Sequence, residues 1–217
     1  MNEISRIVIN DNFGCYFVGP KIEVNTLKDV KSGDVTNITY PQAVELKSVL
    51  KDLLEAENIF TGVLGNKKAL YKILKNTENN DKLKNQKVVK MLGVGNSAIC
   101  FETDDGKVLK ITDGNHFPMN RAVQPFDVLI YSKIKSKSVH FYFEEKLNQY
   151  NMPDGFVQML KDEIKAKGYR TYDLYDTDLH QIGISKQGKL YLLDPECAKY
   201  KTIFHAIWDN LKRLVKR

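Results

Sequence analysis

The chain has 217 residues, 42% hydrophobic and 28% charged, with a formal net charge of +6; this leaves room for one domain, or for one domain with a sizeable extension. No run approaches the roughly 18 apolar residues of a membrane helix, and three scattered cysteines, Cys15, Cys100 and Cys197, offer neither a zinc spacing nor a disulfide framework. The positive charge fits binding to phosphates, on a nucleotide or a nucleic acid, but it is spread along the chain as a lysine- and asparagine-rich composition would spread it.

The first residues, Met1 to Arg6, lack the basic-then-apolar layout of a secretory signal. A cytoplasmic location with no membrane partner is the expectation. Over 4–40, apolar runs at 4–9 and 15–18 alternate with Gly14, Gly19-Pro20 and Ser32-Gly33-Asp34, a pattern of short strands and turns. The spacing predicts a helix over 41–58. Pro41 suits a first helical turn, and Val44, Leu46, Val49, Leu50, Leu53 and Leu54 recur at helical intervals. A second short helix is expected over 67–74. Residues 76–82 carry no apolar side chain and read as a surface linker. The boundary expected near 83 separates an N-terminal extension, 1–82, from a second domain, 83–217.

Beyond it the period changes to that of strands. Segments 87–92, 98–102 and 107–112 predict a three-strand meander, with Asp105-Gly106 as the second turn. Residues 118–133 stay ambiguous between helix and strand, Pro125 arguing against one uninterrupted helix. A strand is expected over 139–143 and a helix over 153–167, opened by Pro153 and closed by Gly168. Residues 182–185 and 189–193 predict a hairpin around Lys186-Gln187-Gly188. A closing amphipathic helix is expected over 201–216, with its basic end, Lys212 to Arg217, favoured by the helix dipole.

Chemistry concentrates in two segments. Gly93, Gly95, Asn96, Ser97 and Ala98 form a loop between two strands. Lacking side chains, its glycines let the backbone approach phosphate oxygens closely, although a plain turn would use them equally. Lys110 lies on the third strand, flanked by Leu109 and Ile111, where a point charge can reach phosphates beneath the loop. In the second segment, Asp176, Asp178, His180 and Gln181 precede the hairpin, and Asp194-Pro195-Glu196 follows it. Paired carboxylates at a strand exit suit a hard metal and a hydroxyl proton. The four histidines have no metal spacing to one another or to the cysteines.

This layout resembles the protein kinase–like superfamily. The loop is similar to G-x-G-x-x-G with Ala98 at the third glycine, and Val108-Leu109-Lys110 is similar to the strand-lysine motif. Phe141 to Leu147 resembles the hinge strand that leads to adenine contacts, which implicates Glu144 and Lys146. Leu174-Tyr175-Asp176 stands for H-R-D, Gln181 for the metal-binding asparagine and Asp194 for the aspartate of D-F-G. The interval from Asp176 to Asp194, 18 residues, is that of an ungapped match. A second register uses Asp178-Leu179-His180, but it puts Gly183 where a metal ligand belongs.

The resemblance implies an α+β, minimal protein kinase-like fold with a small antiparallel N-lobe sheet and a reduced helical C-lobe, preceded by an N-terminal extension. It implies ATP and Mg²⁺ as cofactors, with Gln181 and Asp194 on the metal, Lys110 on the phosphates and Asp176 on the acceptor hydroxyl. Two departures stand out. No glutamate lies between Lys110 and Val139 to pair with the lysine, and only 23 residues follow Asp194. The missing glutamate, together with Gln181 in place of the asparagine, favours a pseudokinase-like module that holds a protein partner as the second expectation. Nucleic acid is a weaker partner, because aromatics do not interleave with the basic residues. The small size would suit a bacterial effector, acting in a host cell, or a phage protein.

Overall fold

Alternating apolar residues from Val88 to Ile111 build the centre of the fold, in a computed structural model. The structure describes residues 22–30, 38–55, 67–94, 98–113, 128–136, 139–147, 155–171, 174, 182–187, 190–193 and 198–200. Seven strands make one sheet: β1 (Ile22–Glu23), β2 (Ile38–Glu45), β3 (Lys87–Val94), β4 (Ala98–Thr103), β5 (Val108–Asp113), β6 (Ile130–Lys135) and β7 (Val139–Glu144). Their order is β1-β2-β3-β4-β5-β7-β6. Among the described residues only β1–β2 is parallel, and every other pair of this sheet is antiparallel. The class is therefore α+β with a mostly antiparallel sheet.

The meander β3–β4–β5 falls where the alternation places it. Gly106 turns it at φ 77°, a left-handed conformation that glycine adopts without a Cβ penalty. Strand β7 then inserts between β5 and β6, so the chain crosses over after β5 and returns along the lysine strand.

The helix expected over 41–58 is corrected. Residues Ile38–Glu45 are strand β2, and α1 spans Leu46–Glu55; 56–58 lie outside the described residues. Pro41 sits in a bulge, since the β2–β3 register shifts between Thr39 and Val44. A bulge leaves residues out of the ladder, which is where a strand can hold a proline that lacks an N–H. The helical stripe survives from Leu46 onward: Leu46, Val49, Leu50 and Leu53 are buried. The second helix, α2 (Lys67–Glu78), outruns its expected end. It takes in Asn76, Thr77 and Glu78 from the segment read as linker. Thr77 is buried, and its hydroxyl donates to the Ile73 carbonyl at 3.0 Å.

Helices α1 and α2 cover one face of the sheet. Leu50, Leu53, Leu70 and Ile73 pack there with Phe101 and Phe141 in one core that draws residues from both sides of position 83. A smaller cluster joins α3 (Phe156–Ala166) to Leu174, Ile182 and Leu192. The short strands β8 (Tyr169–Thr171), β9 (Ile182–Ile184), β10 (Leu190–Leu192) and β11 (Ala198–Tyr200) pair as β9–β10 and β8–β11. The hairpin is as expected; the β8–β11 pair is not legible in the sequence. Gly168 follows α3 at φ 87°. The readings at 4–9, 15–18 and 201–216 lie outside the described residues.

Candidate functional site

The face of the sheet turned away from α1 and α2 carries the chemistry. Residues that face each other across strands share a side of a sheet, so the register lays this face out in rows. Nearest the glycine loop, Ala98, Thr112 and His140 stand side by side. The next row is Cys100, Lys110, Tyr142 and Lys133. The third is Lys90, Glu102, Val108 and Glu144. Leu92, Ala98, Cys100 and Val108 form a separate buried apolar cluster, so an apolar patch lies among lysines and glutamates.

Lys110 is central to this face. It is only 3% exposed, and its ammonium donates to the Leu193 carbonyl at 3.3 Å. Leu193 ends the β9–β10 hairpin and immediately precedes Asp194 in the chain. The strand lysine thus reaches the exit of the hairpin 83 residues later in sequence. Directly across from it, the phenol of Tyr142 is held well above its ordinary range, first by burial and then by the Glu144 carboxylate, with the Lys110 charge acting in the opposite sense. The Lys133 ammonium lies 5.9 Å from the centre of the same ring, within cation–π range.

The other expected residues divide. Gly93 is buried and pairs with Cys100 in the strand ladder, and Ala98 opens β4 inside the apolar cluster. Gly95, Asn96 and Ser97 lie outside the described residues, as do Asp176, Asp178, Gln181 and Asp194. Among the described residues no cluster of three or more His, Cys, Asp or Glu is placed to hold a metal ion. Glu144 is 3% exposed at the end of β7. Lys146, expected at the nucleotide, donates to Glu102 at 2.6 Å. Gly183, the weak point of the second register, lies buried in β9 against Leu147.

Sequence reasoning missed Glu102, Lys90 and Tyr142. The signal was present: 98, 100 and 102 alternate with the core residues Ile99 and Phe101, so a period of two puts Glu102 on the inner face. No helix among the described residues is long and apolar enough to cross a membrane. No protein-family model matches this sequence, and no curated protein is significantly similar to it.

Proposed function

We propose that this chain is an ATP–Mg²⁺-dependent phosphotransferase of the protein kinase–like type, transferring a phosphoryl group to a hydroxyl acceptor. The observation that carries the reading is Lys110: a lysine buried on the middle strand of the sheet, bonded to the carbonyl that leads into Asp194. Burying a cation is unfavourable unless something compensates it. The described partner of the Lys110 ammonium is a neutral carbonyl, and phosphate oxygens would add opposite charge to it. Leu92, Ala98, Cys100 and Val108 suit the apolar face of a base.

In this reading the backbone of 93–98 covers the phosphates and Lys110 neutralises their oxygens. Gln181 and Asp194 hold Mg²⁺, which supplies charge neutralisation on the transferring phosphoryl group. Asp176 orients the acceptor hydroxyl and accepts its proton. The Leu193 carbonyl keeps the Lys110 ammonium beside the metal-binding end of the hairpin before nucleotide arrives. Positioning and electrostatics are most of what phosphoryl transfer asks of a protein. The acceptor is a protein or a smaller alcohol.

A second reading, a pseudokinase-like module that binds a protein partner, is favoured by the absence of any glutamate from 111 to 138 and by glutamine at position 181. Labelled ATP separates the two. The expected result is Mg²⁺-dependent transfer of label to an alcohol acceptor, reduced about a thousandfold in Asp194→Ala, as for loss of a charge-stabilising group. Nucleotide binding without any transfer selects the second reading. Equal transfer by the wild type and Asp194→Ala overturns the first.

A further inference from the structure

We infer that Glu102 and Lys146 form a latch that fixes the hinge segment 145–147 for recognition of the nucleobase, with no direct part in holding phosphate. The inference rests on the nucleotide reading above and assigns Glu102 as a positioning residue.

Three contacts converge on this segment as it leaves β7. The Glu145 N–H donates to the Leu129 carbonyl at 2.9 Å. The Lys146 ammonium donates to Glu102 at 2.6 Å, with the two side chains 22% and 15% exposed. Leu147 packs so closely on Gly183 that a Cβ there would lie 2.6 Å from the Leu147 Cβ. The backbone of 145–147 is therefore tied to β6, to β4 and to the β9–β10 hairpin. Of these ties only the second is ionic and long-range in sequence, and its partial burial limits screening by solvent.

The latch also has a defined place on the inner face. Glu102, on β4, pairs with Val108 of β5, a member of the apolar cluster, and with Lys90 of β3. Lys110 lies one row nearer the glycine loop. A base resting on the cluster would meet the edge of the hinge backbone, while its phosphates would extend towards Lys110. Hydrogen bonding from a backbone edge demands that the segment be held still, and the entropy of ordering it is spent before the ligand arrives. The base end and the phosphate end are thus served by different lysines.

That division is testable by titrating Mg-ATP and, separately, inorganic tripolyphosphate with Mg²⁺ into wild type, Glu102→Gln, Lys146→Met and the double variant. Each single variant is expected to weaken Mg-ATP about tenfold, the scale of one charge-assisted hydrogen bond, and to leave tripolyphosphate unchanged. The double variant should lose no more than either single one, because the two residues act as one unit. Additive losses, or equal losses of both ligands, overturn the latch. So does a Lys146→Met protein that loses tripolyphosphate while Glu102→Gln does not, since Lys146 would then contact phosphate itself. A wild type that binds tripolyphosphate but gains nothing from the base sinks the latch alone. A wild type that binds neither ligand removes the nucleotide reading, and the latch with it.

Discussion

At the scale of single residues, buried polar groups separate into those the site uses and those the fold carries as a cost. Lys110 belongs to the first kind. Its bond to the Leu193 carbonyl gives a buried ammonium a polar partner. Tyr40 belongs to the second. It is 4% exposed, and its hydroxyl has no hydrogen-bond partner among the described residues. Burial, and then the Asp52 carboxylate, hold its phenol well above the usual tyrosine range. An unfolded tyrosine ionises near pH 10, whereas this one stays protonated in the fold. Above that pH the unfolded chain therefore binds fewer protons than the native one. The stability it contributes is fully present below about pH 10 and is lost as pH rises. Tyr40→Phe should be as stable as the wild type at pH 7, or up to about 1 kcal/mol more stable, with a shallower fall between pH 9 and 11. Urea unfolding across that range measures both effects. A variant less stable at pH 7 would mean that the hydroxyl makes a favourable bond. Tyr142, raised in the same direction, keeps part of the alkaline slope in either protein.

At the scale of elements, close approach at one glycine decides how the hairpin meets the hinge. Gly183→Ala would bring a Cβ to 2.6 Å from the Leu147 Cβ and 2.9 Å from its Cδ1. Overpacking of this kind costs about 1–3 kcal/mol, and a fall of several degrees in Tm is expected. An unchanged melting curve would show that β9 yields freely. The elements also show what the sequence makes legible. Strands β3, β4 and β5 are readable because short apolar runs are set off by glycine-containing turns, an Asp-Gly turn joining two of them. Strand β2 is hidden because Val44 falls in helical register with Leu46 to Leu54, and because a proline in a bulge imitates a proline in a first turn. Strands β8 and β11 are three residues each, too short for any period to appear. The insertion of β7 between β5 and β6 is written in no local pattern. Lys110 stands out as a lysine between two buried neighbours. Glu102 does not, because its partner Lys146 lies 44 residues on and a glutamate near a strand end reads as solvent-facing.

At the scale of the whole molecule, the sheet divides two kinds of chemistry. Its outer face is an apolar core closed by α1 and α2, joining residues as distant as Val24 and Phe143. Its inner face carries the lysines and glutamates, and among the described residues the contacts between the sheet with its flanking segments and the hairpin include the Val128 N–H on the Leu192 carbonyl at 3.1 Å, Lys110 on Leu193, and Leu147 on Gly183. In the proposed function Lys110 holds the phosphates of a nucleotide there. Isothermal titration of Mg-ATP into the wild type and Lys110→Ala tests it most directly. Saturable, Mg²⁺-dependent binding by the wild type is expected, with a loss of about tenfold to a hundredfold in the variant, the worth of a charged bond to phosphate. Equal affinity in the two proteins, or no binding by the wild type at millimolar nucleotide, would contradict it.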